Sequence, residues 1–134
     1  MNSYRFSIEW SRLEPSPGEW NEEAMNTYSD MVDDLLERGI RPMPTLHHFS
    51  HPSWWEEKGG FTDEENLVDF LSYSERVFDA LSDRVEVWCT INEPTVFSAM
   101  GYTLGQFPPG RRSIFLTLRV MKNMMRAHSM VYKR

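Results

Sequence analysis

At 134 residues, with 40% apolar and 25% charged side chains, the chain suits one soluble globular domain. No apolar run approaches the ~18 residues of a membrane span, and no basic-then-apolar leader opens the sequence. Acidic residues outnumber Lys plus Arg by 20 to 14, and the net charge of −6 argues against nucleic acid and leaves a small neutral ligand as the better fit.

Tyr4 to about Trp10 alternates strictly and predicts a first strand over 4–10, with Tyr4, Phe6, Ile8 and Trp10 on one face. The opposite face, Arg5, Ser7, Glu9 and then Ser11, is either the wall of a site or a face turned to water; alternation supports both equally. Pro15-Ser16-Pro17-Gly18 is turn chemistry. Asn21 caps a helix predicted over 21–38, in which Glu22 and Glu23 suit the positive end of the dipole. Ala24, Tyr28, Met31, Val32, Leu35 and Leu36 form its apolar stripe, and Gly39 stops it.

A second strand is predicted over 42–48, weakened where Pro42 and Pro44 lack ladder donors. The stretch from Ser50 to Gly60 is too long for a plain connector and reads as a functional loop. Within it, Trp54 and Trp55 either stack on a ligand ring or pack the loop against a helix, with packing favoured for one of the pair. A capping box at Thr62-Asp63-Glu64-Glu65 opens a helix predicted over 63–82, carried by Val68, Leu71, Val77, Phe78 and Leu81. Val85, Val87, Cys89 and Ile91 recur at a spacing of two and predict a third strand over 85–92. After a Gly/Pro-rich loop from Gly101 to Arg112, a third helix is predicted over 113–132, with Met121, Met124, Met125 and Met130 filling the core. Strand, loop and helix thus recur three times, the βα grammar of a parallel sheet in an α/β fold, within a single domain over 1–134.

Thr90-Ile91-Asn92-Glu93-Pro94 carries the most chemistry. Pro94 cannot extend a central ladder, so the strand should end near Glu93 and leave that carboxyl facing a cavity or a loop. Glu93 is there either a working acid or a capping charge. His48 taken alone is more often a satisfied core or rim histidine than a ligand binder, and Arg5 alone is more often an ion-pair partner. His47, His48 and His51 invite a zinc reading, which fails for want of a helix face and a third ligand at readable spacing; neither metal nor cofactor is expected. Cys89 is the single cysteine, which excludes an intrachain disulfide and points to a reducing, cytoplasmic setting.

Tyr4-Arg5-Phe6-Ser7-Ile8-Glu9-Trp10-Ser11-Arg12-Leu13, Thr45-Leu46-His47-His48-Phe49 and Thr90-Ile91-Asn92-Glu93-Pro94 follow in that order, with His48 43 positions after Arg5 and Glu93 45 after His48. Over Tyr4 to about Tyr132 these words resemble glycoside hydrolase family 1, the β-glucosidase and 6-phospho-β-glycosidase family with a (β/α)8 TIM barrel. The resemblance implies hydrolysis of O-glycosidic bonds in small β-glycosides by a retaining double displacement, with Glu93 as the acid/base residue. By the same resemblance Asn92 is the amide that binds the sugar 2-hydroxyl, and His48 holds another hydroxyl of that sugar. Phe49 stands where many members have Trp, and Ser50 where many have Asp. Arg5 matches the arginine whose charge keeps the nucleophile ionised.

A whole barrel takes roughly 250 residues, so the chain should supply about three of its βα units. The Ile-Thr-Glu-Asn-Gly-like word that carries the family's nucleophile does not occur in the sequence, nor does the first-strand Gln. Such a partial barrel has two open sheet edges, which predicts a complementing chain or self-association. The alternative expectation is a catalytically inactive truncated remnant or a sugar-binding module.

Overall fold

The computed structural model of the chain describes residues 2–133. Strands β1 (Ser3–Ser7), β2 (Arg41–His47) and β3 (Cys89–Ile91) form one parallel sheet in the order β1-β2-β3. The helices α2 (Glu22–Glu37), α4 (Leu67–Leu81) and α6 (Ile114–Tyr132) follow β1, β2 and β3 in turn, so the strand C-termini share one rim.

β1 ends three residues before the expected position, and the reason is Glu9. Its carboxylate accepts from the Ser11 hydroxyl (2.8 Å) and faces the Ser11 backbone N–H, turning the chain into the short helix α1 (Trp10–Leu13). Trp10 still reaches the layer the alternation assigned it: it is 1% exposed and stacks on Tyr73 at 4.8 Å. Tyr4, by contrast, is exposed at the start of β1.

β3 is likewise shorter than expected, and the two prolines of β2 explain it. The register sets Thr45 opposite Cys89 and His47 opposite Ile91, so the segment before Cys89 runs beside Pro42 and Pro44. Neither proline has an N–H to offer that segment, and the ladder begins only past them. On its other side β2 is served normally: Arg41 donates to the Asn2 carbonyl (3.1 Å) and Ile8 donates to Thr45 (3.0 Å). Val87, lying ahead of the shortened strand, is exposed rather than buried.

The helices obey their caps. Asn21 Oδ1 accepts from Ala24 N–H (3.0 Å), and α2 gives way to Gly39 at φ +68, a conformation that glycine adopts without steric cost. Asp63, not Thr62, caps the turn that opens α4: it accepts from Glu65 N–H (3.0 Å), while the Thr62 hydroxyl donates to the Gly59 carbonyl (2.5 Å). A 3-10 turn over Glu64–Asn66 then leads into α4. Ser113 caps α6, where Met124 is fully buried and Met130 packs on the core. Met125 is exposed, which removes it from the expected core set.

The long loop after β2 contains the helix α3 (Ser53–Glu57). Trp55 is fully buried and donates its indole N–H to the Asn66 carbonyl (3.1 Å), while Trp54 donates to the Glu14 carbonyl (3.0 Å). Trp10, Trp55, Phe61, Phe70 and Tyr73 thus form an aromatic layer between sheet and α4. The Tyr73 hydroxyl reaches the carbonyls of Ile8 (3.3 Å) and Leu46 (3.0 Å), tying the ends of β1 and β2 to that layer. Burial pushes this hydroxyl well above its usual range, so it remains a donor.

Candidate active site

Three pairs of polar side chains organise the strand-tip rim. Arg5 Nη1 donates to Asn92 Oδ1 (2.9 Å), Ser7 Oγ lies 2.6 Å from His48 Nδ1, and Ser50 Oγ donates to Glu9 Oε2 (2.7 Å). The polar face of the first segment therefore meets two residues just after β2, His48 and Ser50, and one just after β3, Asn92. Alternation alone left that face open between a site wall and a solvated surface; its partners are those loops.

Asn92 is 6% exposed, and its backbone N–H donates to the His47 carbonyl (2.8 Å). With Oδ1 turned to Arg5, its two amide hydrogens are left for something in the rim. His48 is held through Nδ1, which leaves Nε2 as the atom available to a ligand. Glu93 follows directly and opens the short helix α5 (Pro94–Ser98). Its side chain is exposed, and among the described residues its carboxylate has no hydrogen bond or ion pair.

Backbone strain marks the same two places. Among the described residues the non-glycine positions with positive φ are Phe49 (+69°) and Glu93 (+41°). Each follows a rim residue, His48 or Asn92, at the point where a strand has just ended. A left-handed conformation costs a side-chain-bearing residue roughly 1–2 kcal/mol, and such outliers collect at functional sites. Pro94 contributes by disfavouring a right-handed helical conformation at Glu93. The Phe49 ring stacks near Phe97 (6.4 Å) and tilts against Phe107 (5.8 Å), beside a cavity of about 300 Å3 that also touches Ser50, His51 and Glu56.

His47 points away from the rim. It is 1% exposed, meets the rings of Phe61, Phe70 and Phe97 edge to face, and is held well below the usual histidine range by burial and by the neighbouring His51 and His48. Its Nε2 lies 3.2 Å from His51 Nδ1, and His51 Nε2 lies 2.9 Å from Glu56 Oε2. Among the described residues no three His, Cys, Asp or Glu side chains converge as a metal site. The larger cleft, about 870 Å3, lies elsewhere, between α4 and α6 beside Phe78, Trp88 and Tyr132. It holds none of the rim residues, so volume does not select the site.

Ser7, Glu9 and Ser50 are rim residues that pattern reading named without a partner. The signal for Ser7 and Glu9 was the alternation of the first segment, and that for Ser50 its place beside the His47-His48-Phe49 word. Which residue each would meet depended on a pairing between strands about forty positions apart.

The family model for Glycosyl hydrolase family 1 matches residues 1–134. The chain belongs to that family. It is 37% identical over 134 residues to "Beta-glucosidase A" of Thermotoga maritima, covering 99% of this chain and 30% of that protein. To the "Cytosolic beta-glucosidase" of Homo sapiens it is 43% identical over 112 residues, covering 82% of this chain and 24% of that one. Its fold superposes on a β-glycosidase from Pyrococcus horikoshii with a TM-score of 0.96 at 46% identity, covering 98% of this chain and 31% of that structure. A T. maritima family 1 β-glucosidase solved with isofagomine lactam matches with a TM-score of 0.93 at 37% identity. The chain thus spans less than a third of the length of these relatives, and its three βα units are a partial (β/α)8 TIM barrel.

Proposed function

We propose that the chain is the acid/base-bearing part of a retaining β-glycosidase. The observation that carries this is Glu93: an exposed carboxylate at a strand tip, unpaired among the described residues and fixed in a left-handed backbone beside an amide already oriented by Arg5. Glu93 protonates the departing glycosidic oxygen, then takes a proton from the water that releases the sugar. Asn92 donates to the sugar 2-hydroxyl, His48 Nε2 bonds another hydroxyl, and Phe49 supplies an apolar wall. Arg5 steadies Asn92 and, in a closed barrel, places a positive charge near the nucleophile.

The nucleophile is a second carboxylate roughly 5–5.5 Å from the acid, and the family word that carries it does not occur in these 134 residues. In a closed barrel it would stand on the units that these three do not supply, which would join the open edges of β1 and β3. The single Cys89, unbridged and half-buried, suits the reducing cytoplasm. Among the described residues no helix is long and apolar enough to cross a membrane.

A second reading, a sugar-binding or inactive remnant, draws on the absent nucleophile word. One mixing experiment separates them. The 134-residue chain is combined with the portion of T. maritima β-glucosidase A that lies beyond the matched region, and aryl β-glucoside hydrolysis is followed. Turnover in the mixture, absent from either part alone, supports the enzyme. A mixture that assembles yet hydrolyses nothing leaves the remnant.

A further inference from the structure

His47, His51 and Glu56 take no part in the proposed chemistry, yet they form a continuous polar chain beneath the Phe49 loop. The His51 side chain is 8% exposed and that of His47 is sealed among phenyl rings, so their protons cannot be left to solvent. An ionised Glu56 only accepts, which puts a proton on His51 Nε2. With His51 neutral, its Nδ1 presents a lone pair, and His47 must carry its own proton on Nε2 to meet it. That arrangement leaves His47 Nδ1 a bare lone pair, consistent with its lack of a partner among the described residues. The other His47 tautomer would strand a buried N–H, a rarer and costlier fault.

This chain brackets the three residues that face the rim. His48 and Ser50 bond forward to Ser7 and Glu9, while His47 bonds to His51 and His51 in turn to Glu56 on α3. Between them Phe49 holds φ +69, a conformation it keeps only if both flanks are fixed. His47 also touches the Glu93 side of the rim: its ring meets Phe97 of α5 at 5.2 Å, and its carbonyl holds Asn92 N–H.

We infer that His51 is a positioning residue for sugar recognition, acting with His47 and Glu56 to fix the loop so that His48 Nε2 and the Phe49 ring keep one orientation toward the ligand. This rests on the sugar-binding reading above. Asp or Glu at position 56 is required only as an acceptor, so the carboxamide oxygen of Glu56→Gln should serve in its place, whereas Glu56→Ala should not.

Long-range proton–nitrogen spectra of the labelled chain report each imidazole tautomer. In the wild type both His47 and His51 should carry their proton on Nε2; a His47 proton on Nδ1 overturns the inference, with no variant needed. Glucose is then titrated while the His48 resonances are followed. Glu56→Ala should mix the tautomers and weaken glucose binding about tenfold or more, the usual scale for losing one hydrogen bond to a charged group, and Glu56→Gln should restore both. Equal weakening by the two variants, or by neither, refutes the positioning role. Wild-type His48 signals that ignore glucose while the tautomers come out as expected remove the sugar reading, and with it the task assigned to these residues.

Discussion

The aromatic layer under the sheet and the polar rim above it are built from the same strands but to opposite ends. Below, Trp10, Trp55, Phe70 and Tyr73 are fully buried, and their polar atoms are bonded: Trp10 Nε1 to Glu14, Trp55 Nε1 to Asn66, Tyr73 Oη to two carbonyls. Above, among the described residues, two hold strained backbone and the central carboxylate has no partner. The layer has its polar atoms paired, and the rim leaves donors, acceptors and backbone strain uncommitted. Substitutions should therefore separate cleanly, with loss of folding below and loss of function above.

The largest effect belongs to the layer. Trp10→Ala should destabilise the chain by about 3–5 kcal/mol, the range for emptying a large aromatic from a core. A urea titration reads this directly, and a loss under about 1 kcal/mol would mean the layer does not carry the fold.

Next comes the titration of His47. Its folded value lies below the unfolded value of about 6.5, so the unfolded chain binds more protons and stability rises with pH through that interval. Stability is then fully present above about pH 6.5 and declines below it, by at most ~1.4 kcal/mol per pH unit from this one group. His47→Gln should flatten that slope; an unchanged slope would assign the acid sensitivity to other groups.

The smallest effect is a gain. Glu93→Gly relieves the left-handed strain and should stabilise the chain by about 1 kcal/mol while removing the proposed proton donor. A destabilised glycine variant would show that Glu93 contributes to folding and would blur the contrast between rim and layer.

Much of the layer was legible in the sequence because its signals are local. The alternation of Phe6, Ile8 and Trp10 and the stripe of α2 announce buried faces within a few residues, as does the Asn21 cap. Where reading went astray, a neighbour had intervened. Glu9 bends back to cap α1, and Pro42 and Pro44 delay a strand more than forty positions downstream. Val85 to Ile91 has a sound strand pattern, but half of it has no donor to meet. The rim was legible only as words. Their order marked Arg5, His48, Asn92 and Glu93, yet the pairing of Arg5 with Asn92 and of Ser7 with His48 arises from sheet register. The polar chain through His51 was hidden for a similar reason, since it depends on α3 folding back inside a stretch that reads as loop.

The most direct test of Glu93 as proton donor compares leaving groups in the assembled barrel. For a plain phenyl β-glucoside, whose phenolate must be protonated, Glu93→Gln should slow the bond-breaking step by about 10²- to 10⁴-fold. For a dinitrophenyl β-glucoside, whose leaving group departs without a proton, the same variant should lose far less in that step. Equal losses on both substrates would contradict the account.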